Sequence, residues 1–184
     1  MTQPPLVTDG LTAEELYSLR LPGKQTELVR GRLVVREPPG YQHGVVAGKI
    51  LQLIANHVRD HELGIALAAE TGFKLSSRPD TVRAADAAFI SVERAPHHAT
   101  LGYPALAPDL AVEVVSPNDR PGDIQAKVSD WLTAGSRLVW VIDPRRRRAI
   151  IYRDDGSIDL LGDGDALSGE DVLPGLSCPL NTVW

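Results

Sequence analysis

The stretch Asp109-Leu110-Ala111-Val112-Glu113-Val114-Val115 decides the fold. Side chains alternate across a strand, so Leu110, Val112 and Val114 share one face and Asp109, Ala111, Glu113 and Val115 the other. Both faces are largely apolar, which places this strand in the middle of a sheet. Glu113 sits at its centre. A carboxylate buried alone is costly, so it must be protonated, paired or bound to a metal.

Outward from this strand the chain alternates short elements. Downstream, Pro121-Gly122-Asp123 opens a helix that runs to about Ala134 and is capped by Gly135. Leu138–Ile142 reads as a strand. Asp143-Pro144-Arg145-Arg146 turns it into a partner at Ala149–Arg153, and Asp154-Asp155-Gly156 turns again into Ile158–Leu161. The tail from Gly162 to Trp184 is loop-rich. Upstream, Ala84–Ser91 is an apolar strand, preceded by two short ones at Ile65–Glu70 and Phe73–Leu75. Val46, Ile50, Leu53, Ile54 and Val58 recur at helical spacing, so a long amphipathic helix spans about His43 to His61, stopped by Gly64. Glu27–Arg30 and Arg32–Val35 form a tight hairpin around Gly31. Thr12-Ala13-Glu14-Glu15 is a capping box that opens a short first helix. This order predicts a mixed α/β (α+β) fold, a curved mixed sheet flanked by helices. The absence of βαβαβ alternation with a glycine-rich turn argues against a dinucleotide fold.

The chain has 184 residues, 43% hydrophobic and 23% charged, as expected for a single domain over residues 11–184 behind a tail of residues 1–10. No apolar run approaches the roughly 20 residues that span a bilayer, so no membrane association is expected. Met1-Thr2-Gln3-Pro4-Pro5 lacks the pattern of a signal peptide. The expectation is a soluble cytoplasmic protein. Cys178 is the sole cysteine, which excludes an internal disulfide. The net charge of -5, from 24 acidic and 19 basic residues, argues against non-specific coating of nucleic acid but leaves room for a local basic patch.

Asp86, within Ala84-Ala85-Asp86-Ala87-Ala88-Phe89-Ile90, poses the same problem as Glu113. One such carboxylate is usually a structural ion pair; two on neighbouring strands favour a divalent cation. Lys127 lies along the helix stripe of Ile124, Val128, Trp131 and Leu132, either snorkelling outward or placing its charge near the buried acids. Other groups read blandly. His57 and His61 have a metal-compatible spacing but no accompanying motif. His97-His98 falls in a loop, Arg145–Arg148 in a solvated turn, and Asp163 and Asp165 in a turn. Cys178 has no neighbouring base.

The runs Glu27–Leu33, His43-Gly44, Arg83–Phe89 and Ala107–Pro117, then Lys127, Leu138–Pro144 and Gly164–Gly175, resemble in order and spacing the Uma family of restriction endonucleases, placed in the PD-(D/E)XK nuclease superfamily. The resemblance covers about Leu11 to Leu180. It implies a restriction-endonuclease-like core and hydrolysis of DNA by a magnesium (or manganese) ion. It implies Asp86 and Glu113 as the motif acids and metal ligands, joined by the Val114 carbonyl. Lys127 becomes the motif lysine, moved onto the following helix, Glu27 a further acid near the metal, and His43 an accessory residue. Two positions depart from the pattern: Ala85 replaces the proline before the first acid, and Val115 stands where the lysine two after Glu113 would be. Activity then depends on Lys127 reaching the site. Because DNA has two strands, a homodimer is expected. The rival readings are a catalytically silent nuclease-fold binding or assembly module and an unrelated metal-dependent hydrolase of a small molecule.

Overall fold

The computed structural model describes residues 10–96 and 101–184. The tail expected at residues 1–10 and His97-His98 fall outside these, Gly10 excepted. In chain order the elements are α1 (Ala13–Ser18), β1 (Gln25–Val29), β2 (Arg32–Arg36), α2 (Tyr41–Asp60), β3 (Gly64–Ser76), β4 (Thr81–Ser91), β5 (Leu110–Val114), α3 (Pro121–Thr133), β6 (Leu138–Asp143), β7 (Arg148–Arg153), β8 (Ile158–Leu161), β9 (Ala166–Ser168) and β10 (Ser177–Pro179). Thr12 caps α1 with the full capping box: its side chain accepts from the Glu15 amide, and Glu15 accepts from the Thr12 amide. The β1–β2 turn uses Arg30 at φ 50 and Gly31 at φ 78, the positive pair a two-residue hairpin turn needs.

The main sheet has the order β2-β1-β4-β5-β6-β7-β8, with β3 also paired to β4. β5 and β6 are parallel, joined by α3; the other pairs are antiparallel. As the alternation predicts, the two faces of β5 feed two cores. Leu110, Val112 and Val114 pack with Val46, Ile50 and Ile54 of α2, whereas Ala111 packs with Ile124, Val128 and Trp131 of α3.

Two expectations needed correction. The two short strands before β4 are one, β3. Its apolar pattern is interrupted at Glu70-Thr71-Gly72 because the strand bulges there. Gly64 does not stop α2; His61 caps it, Glu62 at φ 53 turns the chain, and Gly64 begins β3. The tail is loop-rich as expected, and within it β9 and β10 pair and close the α2-side core with Leu167 and Cys178. Their three-residue lengths leave too little periodicity to read.

The β3 bulge changes the sheet beside it. Ala68 pairs with Ala87 and Thr71 with Ala85, so Ala69 and Glu70 together oppose Asp86. Alternation therefore inverts across Asp86. Ala85 belongs to the α3-side core, but Ala87 and Phe89 belong to the α2-side core. A second irregularity lies on the other edge of β4. Leu28 of β1 pairs with Val82, β5 pairs only with residues 87–89, and positions 83–86 face a gap between β1 and β5.

Gly64 sits where a Cβ would lie 2.1 Å from the Ile90 carbonyl oxygen and 2.8 Å from the Val92 nitrogen, at φ 148. Both neighbours are backbone and neither can yield. Gly64→Ala should destabilise the fold by about 2 kcal/mol or more, read as a lower urea midpoint; an unchanged midpoint would contradict this close approach.

Candidate active site

The gap beside β4 is where the buried charges gather. Ala84 has no strand opposite its outer edge, so its peptide groups need other partners. Its N–H donates to Glu27 Oε1 at 3.0 Å, and its carbonyl accepts from Lys127 Nζ at 3.2 Å. Glu27 arrives from β1 and Lys127 from α3, each buried. Lys127 also donates to Glu113 Oε2 at 2.6 Å and lies 3.4 Å from Glu27 Oε1. The other Glu113 oxygen accepts from Trp131 Nε1 at 2.8 Å. Lys127 therefore does not snorkel outward; it sits between two carboxylates.

Glu27 is held further by Arg83, whose guanidinium donates to it at 3.0 Å and to Asp130 of α3 at 2.8 Å, and by Arg36 at 3.7 Å. Asp86 faces the gap from β4. Its Oδ2 accepts the Val114 N–H at 2.7 Å and lies 3.2 Å from His43 Nε2, in the first turn of α2. His43 Nδ1 is buried with no hydrogen-bond partner among the described residues. Arg36 donates to Asp119 Oδ1 at 3.1 Å, while Asp119 Oδ2 caps the turn after β5 by accepting the Ser116 N–H.

His43, Asp86, Glu113, Val114 and Lys127 line one cavity of about 280 Å³, with Arg36 and Asp119 on its walls. Glu27 does not line that cavity; it stands behind Lys127 and borders a second cavity beside it. Arg36, Asp119 and the indole of Trp131 escaped sequence reasoning as polar members of the site. The signals present were Arg83 within an apolar strand and the Asn118-Asp119 turn.

Burial dominates the ionisation of these groups. It pushes Glu113 from its ordinary 4.5 up to about 7, opposed by Lys127 and reinforced by the charges of Asp86 and Glu27. Burial alone would raise Glu27 too, yet Lys127, Arg83, the Ala84 amide and Arg36 together hold it below the usual carboxylate range. Burial opposes charge on Lys127, but Glu113 and Glu27 outweigh it and raise its pKa. For His43 burial likewise opposes charge, and the hydrogen bond to Asp86 with the charges of Asp86, Asp119 and Glu113 raises it above 6.5.

Among the described residues no three His, Cys, Asp or Glu side chains converge as a metal-ligand cluster. Two carboxylates, Asp86 and Glu113, do share the cavity with Val114. That donor set fits magnesium, which takes one or two carboxylates and keeps several waters. The histidine pair on α2 is structural: His57 Nε2 lies 3.0 Å from the Pro174 carbonyl and His61 Nδ1 lies 2.9 Å from the His57 carbonyl. Arg146 and Arg147 of the basic turn pair with Asp143 and Asp163. Asp165 accepts the Gly162 amide within its own turn. Burial pushes the Cys178 thiol up to about 12, which removes it as a nucleophile.

The sequence pattern of Uma2, described as "Putative restriction endonuclease", matches residues 13–181. The chain belongs to the Uma2 family. Among solved structures, one described as "a putative nuclease belonging to DUF820", from Anabaena variabilis, superposes with a TM-score of 0.81 at 18% identity, over 94% of this chain and 97% of that one. At this identity the likeness is one of fold: the Uma2 chain shares that protein's architecture. No curated protein matches the chain. No helix among the described residues is long and apolar enough to cross a membrane.

Glu27→Ala would strip the Ala84 amide of its acceptor and leave the buried charges of Arg83 and Lys127 balanced only by Asp130 and Glu113. It should cost about 3–5 kcal/mol, the scale for breaking a buried ion pair from one side, measured by urea unfolding. Glu113 makes a pH signature. Its raised pKa adds stability that is full below 4.5 and lost as pH rises through about 7. Urea midpoints of the parent should therefore fall across this window relative to those of Glu113→Gln; parallel curves would refute the shift.

Proposed function

We propose that this chain is a metal-dependent endonuclease that hydrolyses DNA phosphodiester bonds. The observation that carries the reading is the meeting of Asp86, Glu113 and Lys127 at one cavity, with the lysine bonded to the acid at 2.6 Å. Asp86, Glu113 and the Val114 carbonyl would hold a magnesium or manganese ion. Such an ion supplies Lewis acidity at the phosphate and lowers the pKa of a bound water.

The protein's own groups do the rest. Lys127, kept charged by its two carboxylates, orients the attacking water and offsets charge that grows on the phosphorane oxygens. Glu27 has its oxygens engaged by Arg83, Lys127 and the Ala84 amide. We therefore assign it to positioning Lys127 rather than to direct ligation. His43 fixes the Asp86 carboxylate, and Arg36 on the cavity wall offers a guanidinium to a phosphate oxygen. A duplex presents two strands, so two copies acting as a homodimer would cut both.

One observation favours a second reading, a silent binding or assembly module. Both oxygens of Glu113 already have protein donors, Lys127 and Trp131. Plasmid nicking separates the two. The parent should nick supercoiled DNA with magnesium or manganese, and Asp86→Asn and Glu113→Gln should each lower the rate by about 10² or more while circular dichroism stays unchanged. A folded parent that cuts no DNA with either ion would leave the module as the better account.

A further inference from the structure

Gln25, Arg36, Asp86 and Lys127 line two cavities at once. One is the 280 Å³ space with Glu113. The other, of about 200 Å³, adjoins it at those four residues and is walled by Tyr103, Gly72, Glu70 and Val82. Nothing in the chemistry assigned above uses it, yet three features build it. First, Gly72 makes room for Tyr103: a Cβ there would come within 2.5 Å of the Tyr103 ring. The ring is also braced edge-on by Tyr17, with centroids 5.7 Å apart. Second, Glu70 adopts φ 65, a conformation unfavourable for a side-chain-bearing residue, in the bulge opposite Asp86. Third, its carboxylate accepts from Gln25 Nε2 at 2.7 Å, which orients the Gln25 carboxamide at the cavity wall.

Resting on the nuclease reading, we propose that this second cavity receives the base of the nucleotide next to the scissile phosphate, turned out of the stack, and favours a base with an exocyclic amino group. A phosphate held at Arg36 and Lys127, which line both cavities, carries its nucleoside within reach of the neighbouring space. Its volume of about 200 Å³ is on the scale of a single base. Tyr103, Val82 and Ala85 supply an aromatic and apolar wall. Glu70 is an acceptor for an amino group, and Gln25 can donate and accept along the same base edge. The energy of unstacking is least in single strands or at mismatches, so these are the preferred substrates.

The test measures binding without cutting, by fluorescence anisotropy in EDTA. The probes are oligo(dC), oligo(dT) and an abasic phosphodiester of equal length, with dCMP as a free-nucleotide competitor. The parent should bind oligo(dC) tightest and the abasic strand weakest. Tyr103→Ala should weaken oligo(dC) binding about tenfold and leave abasic binding unchanged. Tyr103→Phe, which keeps the ring, should behave as the parent, and Glu70→Ala should bring oligo(dC) and oligo(dT) together. Equal binding of the three strands by the parent, or an equal loss on all three in Tyr103→Ala, overturns the pocket. Competition by dCMP at strand-like affinity overturns its assignment to a DNA strand. Cutting without base discrimination would sink this inference alone, whereas discrimination without cutting would sink the nuclease reading and the placement beside a scissile phosphate, leaving only a base-binding pocket.

Discussion

A break in one hydrogen-bond ladder organises this protein. Along its outer edge β4 has β1 at Val82 and β5 from Ala87, but among the described residues no strand at positions 83–86. The unsatisfied peptide at Ala84 would be costly in the interior. Glu27 and Lys127 satisfy it, one group each. Those two charges require others: Arg83 for Glu27, Glu113 for Lys127, and Asp130 for Arg83. Three strands and one helix are tied at a single point by groups that cannot be removed one at a time without stranding a neighbour. The candidate site is thus also a structural joint.

The same joint explains why two roles are hard to separate within it. Glu27 is fully engaged and holds its ionised form, while Glu113, deeper and flanked by further acids, holds its proton up to about 7. Two glutamates a short distance apart are driven in opposite directions by their surroundings. One anchors the lysine permanently; the other can change charge near neutral pH. Such divergence is a common mark of a functional centre, though ion-pair networks also produce it.

Much of the architecture was legible in the sequence, for identifiable reasons. The two-faced pattern of Leu110–Val114 gave the central strand and both of its cores, and the stripe Val46–Val58 gave α2, because burial imposes periods that composition records. The carboxylates in Asp86 and Glu113 stood out because apolar strands rarely carry them. What stayed hidden depends on register. No local pattern reveals that β4 lacks a partner at 83–86 or that β3 carries an extra residue opposite Asp86. Trp131 read as one more apolar residue on a helix stripe, since its N–H finds Glu113 only after α3 is packed. Arg36 and Asp119, 83 residues apart, meet only in the folded chain.

The β3 bulge has a consequence for how this sequence can change. Because Ala69 and Glu70 share one place opposite Asp86, the strand holds one residue more than the ladder counts. Shortening β3 by that residue would yield a smoother sheet, and the alternation on β4 would run unbroken through Asp86. The two halves of β4 would then present to α2 and α3 the wrong sets of side chains, Ala85 trading sides relative to Ala87 and Phe89. Around the bulge the strand's residue count, as much as its residue identities, keeps the acid aimed into the gap.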